Sequence, residues 1–410
     1  MNKSLTSNWK KGFLTISIGQ ALSLIGSNAV QFSLIWWLSS ETASPMMLSL
    51  AGLCAFLPQF LLAPFAGVWV DRFPRKTVLI CADLFIGIVA TLFAISFFLW
   101  NPPYWLGCVV LGIRAMGNVF HMPAMKAAIP LLVPEEELTQ ANSLSQSLQT
   151  MSLMLSPILG AMMYGLLSLP FILLLDLAGA IIASVTVAIV KFPDVKQNKL
   201  IQSNMLRELK EGSNILFKDK KLSAVTVVMV LCLIFFMPIA TFYPLMTSNY
   251  FNATAWHASA TNIFYGLGMF AGAVATGKFG SNKNKLSIIA YSLLFTGIVS
   301  FFSGVLPPTM LGFWLFATLC LLTGAGVNAH QIAHTVYIQQ NIPQEAQGRV
   351  FSLIGSLLSV STPIGLGIAG PVAEYYGVSA WFVISGVAVT LIIILYLLIS
   401  KYYLEKVDLI

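Results

Sequence analysis

Long apolar runs separated by short polar breaks recur along the whole chain and constrain the fold more than any other feature. A helix that crosses a bilayer needs about 20 mainly apolar residues, and twelve runs of about that length are present. They cover residues 13–38, 46–70, 77–100, 104–127, 141–167, 169–190, 222–247, 258–278, 286–305, 309–333, 349–373 and 379–400. The pattern predicts an all-α membrane protein with twelve transmembrane helices.

The composition favours the same class. Hydrophobic residues make up 57% of the 410 residues and charged residues only 9%, whereas soluble domains carry about 25% charged residues. The first apolar run is too long for the hydrophobic region of a signal peptide, and no cleavage site of small residues follows it. We therefore expect this run to be retained as a helix.

The distribution of positive charge predicts the orientation. Lys and Arg side chains accumulate near the cytoplasmic ends of transmembrane helices. In a register of twelve helices, every Lys and Arg except Arg114, which lies deep inside a span, falls in the N-terminal segment, in alternate loops or at the span ends beside them, or in the C-terminal tail. This asymmetry predicts a multi-pass cell-membrane protein with both termini in the cytoplasm. It also attributes the net charge of +7 to topology rather than to nucleic-acid binding.

One long polar segment divides the chain into two halves. We predict an N-terminal six-helix bundle at 1–191, a cytoplasmic linker with a short amphipathic helix at 192–221, and a C-terminal six-helix bundle at 222–410. Related strings recur in both halves, as in PPYWLG at 102–107 and PPTMLG at 307–312. Such matches indicate duplication of a six-helix unit. Parallel repeats of this kind are a transporter architecture, with the substrate site near the membrane midplane between the halves.

A cluster of charge lies between the second and third apolar runs, in the string GVWVDRFPRK at 67–76. It resembles the G-x-x-x-D-R-x-G-R-[KR] turn of the major facilitator superfamily, with Pro74 where the family usually has Gly. The resemblance implies that the charged residues lock the two halves together on the cytoplasmic side. Simple anchoring by positive charge is the alternative. The residues concerned are Asp71, Arg72, Arg75 and Lys76.

Three longer strings resemble the macrolide-efflux branch of that superfamily: FHMPAMKAAIPLLVPEEEL at 120–138, SQSLQ at 145–149 and GRVFSLIGS at 348–356. The resemblance implies a secondary active transporter that exports macrolide-like amphipathic drugs by proton-coupled alternating access. Its partners would be a small-molecule substrate, protons and membrane lipid, and a separate ATPase or accessory protein is compatible with the sequence. The alternatives are a carrier of another hydrophobic solute, such as a siderophore, and a membrane sensor or scaffold that transports nothing.

Three ionisable residues inside predicted spans are candidates for proton coupling, because such residues are costly in lipid and are functional candidates by default. We predict that Arg114 pairs with Asp83 and that protonation of this pair biases the access states; a static ion pair is the alternative. The string RAMG, beginning at Arg114, also resembles a superfamily signature associated with proton coupling. Asp176 is interpreted as a proton carrier, a contact for a cationic substrate, or a helix-to-helix hydrogen bond.

Candidate substrate contacts lie on the first and seventh helices. Polar residues along the first helix should face the protein interior rather than lipid. Aromatic residues near Pro238 suit a large apolar ligand, because they offer contact area without strict polar readout. Hydrogen bonding between helices and ordinary packing are the alternatives. The candidates are Gln20, Asn28, Gln31, Phe235, Phe236 and Tyr243.

Other motifs predict no enzyme, cofactor or metal site. The string GAVATGK at 272–278 fits a phosphate-binding loop, but it ends an apolar helix and no strand precedes it. His330 and His334 are four residues apart but lack an evident third ligand. The five cysteines all lie in apolar runs and are interpreted as packing residues.

Overall fold

The computed structural model describes residues 9–134, 137–192, 213–279 and 284–407. These residues contain twelve α-helices of 20 residues or more. They are α1 (Trp9–Thr42), α2 (Pro45–Arg72), α3 (Arg75–Leu99), α4 (Tyr104–Leu132), α5 (Leu138–Leu166), α6 (Leu169–Ile189), α7 (Lys220–Leu245), α8 (Ala255–Phe279), α9 (Lys285–Gly304), α10 (Met310–Asn341), α11 (Gln344–Tyr376) and α12 (Val378–Val407). A five-residue π-helix, Met246–Tyr250, continues from α7.

The all-α membrane architecture predicted from the sequence is confirmed. Among the described residues, ten helices are long and apolar enough to cross a membrane, and part of α5 is a shorter apolar helix. Several helices extend beyond the predicted apolar runs. The most consequential case is α4, which continues to Leu132 instead of ending at 127.

Local sequence signals set many of the helix starts. Prolines directly precede α3, α4 and α11, where a proline residue interrupts no helical hydrogen bond. The side chains of Asp219, Asn284 and Thr309 accept hydrogen bonds from backbone amides at the starts of α7, α9 and α10. These caps satisfy donors that would otherwise lack partners in the first turn.

The chain forms two compact units. Unit 1 contains α1, α2 from Leu50 onward, and α3 to α6, whereas unit 2 contains Ala43–Ser49 and α7 to α12. In unit 1, α1 packs against α5 and α6, and α3 packs against α4 and α6. In unit 2, α10 packs against α8 and α9, while α7 packs against α11 and α12. Residues 193–212 of the predicted linker lie outside the described residues, and 213–218 are helical.

Glycines permit the closest helix contacts within each unit. In unit 2, a Cβ at Gly268 would lie far inside van der Waals distance of the Leu321 carbonyl oxygen, so α8 and α10 touch backbone to backbone. In unit 1, a Cβ at Gly160 would lie 2.8 Å from the Ala29 carbonyl oxygen, which brings α5 onto α1. Small residues of this kind are the usual means of close approach between membrane helices, where lipid offers no hydrophobic driving force.

Candidate functional site

Two groups of buried polar side chains lie in unit 1, and helical periodicity explains their arrangement. On α1, Gln20 and Ser27 are seven residues apart, and on α4, Arg114 and His121 are also seven residues apart. Seven residues make almost two helical turns, so each pair lies on one helix face with a separation of about 10 Å along the axis. The result is two tiers. The arginine tier consists of Ser27, Arg114 and Asp176, and the histidine tier of Gln20, Asp83 and His121.

The arginine tier is a closely hydrogen-bonded ion pair. Arg114 Nη2 donates to Asp176 Oδ2 at 2.6 Å and to the Ser27 carbonyl oxygen at 3.2 Å. Ser27 Oγ donates to the other carboxylate oxygen of Asp176 at 2.5 Å. Both charged side chains are at most 6% exposed. Hydrogen bonds between opposite charges are short and strong, so this tier joins α1, α4 and α6 as an electrically neutral unit.

The histidine tier joins α1, α3 and α4. Gln20 Nε2 donates to Asp83 Oδ2 at 2.8 Å, and Gln20 Oε1 lies 2.8 Å from His121 Nε2. The same imidazole nitrogen is 3.3 Å from Asp83 Oδ1. Asp83 and Gln20 are buried, and the His121 side chain is 13% exposed. The histidine tier therefore contains an aspartate and a histidine, two groups that can gain or lose a proton. The arginine tier contains one such group, Asp176.

Gly117 brings α4 close to α3 between the two tiers. A Cβ at this position would lie 2.5 Å from Ile86 Cγ1, one turn beyond Asp83 on α3. The glycine of the string that begins at Arg114 thus acts through packing, because a side chain there would push α4 away from the helix that bears Asp83.

The predicted pairing of Arg114 with Asp83 is wrong. Arg114 bonds Asp176, and Asp83 bonds Gln20 and His121. The prediction placed Arg114 too near the end of α4, because that helix continues five residues beyond the predicted run, to Leu132. Arg114 lies about 27 Å from Leu132 but about 15 Å from the first residue of α4, at 1.5 Å per residue. The latter depth is close to that of Asp176, about 10 Å along α6 from its first residue.

A small cavity lies beside the histidine tier, between α1, α4 and α5. It has a volume of about 110 Å³. Gln20 and His121 line one part, and Lys126, Ile129 and Ser145 line the part toward the end of α4 and the start of α5. Drug-sized ligands occupy pockets of about 300–1,000 Å³, so this space is too small for a macrolide. It has room for several water molecules, each of which needs about 10–15 Å³ of this kind of volume.

The residues of the charged turn cap helices of unit 1. Arg75 Nη1 donates to the carbonyl oxygen of Val70, in the last turn of α2, and to that of Phe73 at 3.3 Å. Lys76 Nζ donates at the end of α6 to carbonyl oxygens of Ala188, at 2.6 Å, and Val190, at 3.0 Å. Cations are favourable at helix C-termini, where carbonyl groups lack helical partners. The side chains of Asp71 and Arg72 lie outside the described residues.

The predicted substrate contacts on α1 differ in their surroundings. Both the nitrogen and the oxygen of the Gln20 amide form hydrogen bonds within the histidine tier. Asn28 and Gln31 are half-buried, and Asn28 Nδ2 has no hydrogen-bond partner among the described residues. Unlike the Gln20 amide, the Asn28 amide therefore has a donor that finds no acceptor in the described part of the chain.

The predicted aromatic contacts on α7 take part in packing within unit 2. Phe235 stacks on Trp381 with ring centroids 6.4 Å apart. The ring of Tyr243 meets Phe316 and Phe382 edge-on, at 5.7 and 5.9 Å. Phe236 is half-buried. Tyr243 and Phe235 thus stabilise the helix packing around α7.

The remaining motifs are explained by their places in helices. The string GAVATGK at 272–278 lies wholly within α8, and Gly272 packs closely against Ala325 of α10. His330 is buried, and its Nδ1 lies 3.2 Å from the Gly326 carbonyl oxygen of its own helix. His334 is also buried on α10.

Reasoning from the sequence missed His121. This residue lies near the end of the predicted fourth span, and it was noted only within the string at 120–138. The available signal was its spacing of seven residues from Arg114, which places both side chains on one face of α4. The same spacing relates Gln20 to Ser27 on α1.

Comparison with known proteins establishes the family. The model of the Major Facilitator Superfamily matches residues 16–365. The chain belongs to the major facilitator superfamily. Macrolide efflux protein A of Streptococcus pyogenes is 40% identical over 404 residues, which cover 98% of this chain and 99% of that protein. Macrolide efflux protein A of Enterococcus faecalis is 39% identical over 324 residues, which cover 79% of this chain and 99% of that one.

The fold of this superfamily member agrees with solved transporter structures. A bacterial homologue of the human lysosomal transporter Spinster has a TM-score of 0.72 and 13% identity, with 99% of both chains covered. Identity at this level shows the shared fold alone. The chain is therefore a multi-span membrane transporter in the branch that contains the macrolide efflux proteins, and its family is one of transporters rather than enzymes.

Proposed function

We propose that the protein exports macrolide-like amphipathic drugs across the cell membrane by proton-coupled alternating access, with both termini in the cytoplasm. The observation that carries this proposal is the 40% identity, over nearly the full length of both chains, to macrolide efflux protein A of S. pyogenes. The asymmetry of positive charge supports the orientation, since the N-terminal segment, alternate loops and C-terminal tail hold the Lys and Arg residues outside the spans.

The buried ionisable groups of unit 1 support the coupling to protons. Asp83, Arg114 and Asp176 are each at most 6% exposed. Such groups inside a membrane protein are costly and mark substrate or ion pathways. We assign proton coupling to these three residues. Asp83 takes up and releases the proton, while the ion pair between Arg114 and Asp176 stays intact.

Substrate contact is proposed for α1 and α7. Asn28 has an amide donor without a partner among the described residues, and Gln31 lies one turn away on the same helix. Macrolides carry many hydroxyl and carbonyl oxygens that can accept such donors. Phe235, Phe236 and Tyr243 supply apolar surface on α7, since half-buried aromatic rings provide contact area with little loss of conformational entropy. The third candidate on α1, Gln20, is proposed to affect substrate binding only indirectly, through its hydrogen bonds in the histidine tier.

The charged turn is proposed to gate the carrier. The family resemblance assigns this role to Asp71, Arg72, Arg75 and Lys76. Arg75 and Lys76 already secure the ends of α2 and α6 within unit 1. A gating contact would therefore act on a turn that is held rigidly to its own unit, and its movement would follow that of the whole unit.

The experiment compares macrolide accumulation in cells that do and do not express the protein. Expression should lower the steady-state content of a radiolabelled macrolide, and an ionophore that collapses the proton gradient should abolish the difference. Inverted membrane vesicles with an acidic lumen should accumulate the macrolide, and vesicles without the protein should not. Unchanged macrolide content together with altered content of a labelled ferric siderophore would replace this proposal with the other carrier function.

A further inference from the structure

We propose that the pair formed by Asp83 and His121 takes up and releases a single exchangeable proton, and that the cavity between α1, α4 and α5 is the aqueous route between this pair and the end of α4. The inference rests on the proposed function, because it names the residues that would couple transport to the proton gradient. His121 becomes the partner of Asp83 in this role, and Arg114 does not.

The hydrogen-bond pattern fixes which imidazole nitrogen carries a proton at the start. An ionised Asp83 only accepts hydrogen bonds, so the Gln20 amide turns its NH₂ group toward that carboxylate, at 2.8 Å. Gln20 Oε1 consequently faces His121 Nε2 at 2.8 Å, and this nitrogen must donate. The neutral imidazole therefore has its proton on Nε2 and can accept a second one at Nδ1. The tier is prepared to take up one proton without rearranging the bonds of Gln20.

The charges of the two tiers leave one negative charge without compensation. Arg114 and Asp176 cancel each other at 2.6 Å. Asp83 with a neutral His121 carries one negative charge in a buried environment, and one added proton makes the tier neutral. The cost of a buried charge is large enough that proton occupancy and the solvent exposure of this tier must be linked. If the histidine tier is open to water in one access state and closed in the other, its affinity for the proton differs between the two states.

The groups that face the two tiers come from five described helices. The polar and charged residues around the pair, taken from each described helix packed against it, are Ser17, Gln20 and Ser27 on α1, Asp83 on α3, Arg114, His121 and Lys126 on α4, Ser145 and Gln149 on α5, and Asp176 on α6. Among these described side chains, Asp83 and His121 are the two titratable groups that are in contact without an arginine or lysine partner.

The cavity connects this pair with the end of α4. Its lining begins at Gln20 and His121 and continues to Lys126, about 7 Å farther along α4 at 1.5 Å per residue. Lys126 is exposed, so this end of the cavity meets the surroundings of the helix. A volume of about 110 Å³ admits several water molecules. Protons can cross such a space along hydrogen-bonded water, whereas a macrolide cannot enter it.

The first test measures proton release by the purified full-length protein when a macrolide binds. In a weakly buffered solution with a pH indicator, the wild type should release up to one proton for each macrolide bound. Asp83→Asn and His121→Gln should each release less than about one-fifth of that amount, while still showing macrolide-dependent thermal stabilisation. The control is His257→Gln, the same chemical change in the first turn of α8, and it should behave as the wild type. Release at the wild-type level by both tier variants would overturn the proposal.

A second measurement does not depend on the stability of the variants. In protein labelled with ¹³C at histidine, the His121 resonance is identified by its loss in His121→Gln. In the wild type this resonance should change between an imidazolium and a neutral imidazole signal when the macrolide is added near neutral pH. A His121 signal that is the same with and without bound macrolide from pH 5.5 to 8.5 would refute the uptake and release of a proton by this pair. If the wild type drives no macrolide transport with a proton gradient, the proposed function fails. If it does so and both tier variants match it, this inference alone fails.

Discussion

The pairing of Arg114 with Asp176 predicts a large and specific energetic coupling between these two residues. Asp176→Asn leaves a buried guanidinium whose described acceptors are an amide and the Ser27 carbonyl oxygen at 3.2 Å, while Arg114 Nε already lacks a hydrogen-bond partner within the described ranges. Removing one member of a buried ion pair costs about 3–5 kcal/mol. An arginine at the centre of a membrane helix costs about 2.5–3.5 kcal/mol on insertion scales. We therefore expect each single variant, Arg114→Gln or Asp176→Asn, to lose about 3 kcal/mol of unfolding free energy.

The double variant Arg114→Gln/Asp176→Asn should lose much less than the sum, because two neutral amides can bond each other where the ion pair was. The expected coupling energy is about 3 kcal/mol, at the upper end for groups in direct contact. The measurement is a double-mutant cycle with unfolding in mixed micelles, followed by far-ultraviolet circular dichroism. A matched cycle of Arg114→Gln with Asp83→Asn should give less than about 1 kcal/mol, since these residues share no hydrogen bond. A larger coupling in the second cycle than in the first would refute the two-tier arrangement.

Three further predictions concern packing, topology and capping. Gly268→Ala should lower the thermal unfolding midpoint by an amount equivalent to about 1–3 kcal/mol, because the new methyl group meets the backbone of α10. The control Gly277→Ala places its methyl group in open space and should be neutral or slightly stabilising. With native cysteines replaced, Asn284→Cys should react with a membrane-impermeant maleimide only in opened cells and Pro308→Cys in intact cells; the reverse pattern would contradict the orientation. Lys76→Met should cost about 1 kcal/mol of stability through lost capping of α6, and an unchanged midpoint would argue against that role.

The number and order of the helices could be predicted from the sequence because each helix depends on a local signal. Apolar runs of the length of a bilayer and the placement of Lys and Arg are properties of contiguous segments, and neither depends on which helices touch. Prolines and capping residues such as Asp219 and Thr309 add local stops and starts. Helix ends were less predictable, since a helix can continue past the end of a predicted run, as α4 does from residue 127 to Leu132.

The partners within the site could not be predicted in the same way, because they depend on tertiary packing. Arg114 had two carboxylates within plausible reach, and an error of five residues at the end of α4 was enough to favour Asp83 over Asp176. The role of Gly117 in bringing α4 onto α3 is likewise visible only in three dimensions. His121 has a spacing signal on its own helix, but its meaning depends on Asp83 being opposite it on another helix.

The central claim, that this chain is a carrier for macrolides, is tested most directly by counterflow in proteoliposomes made from the purified protein. Vesicles loaded with an unlabelled macrolide and diluted into a trace of the labelled compound should show transient accumulation of label above its equilibrium level, without any imposed gradient. A preload of ferric siderophore should produce no such overshoot. Absence of the overshoot with macrolide, from protein that is folded by circular dichroism, would contradict the claim.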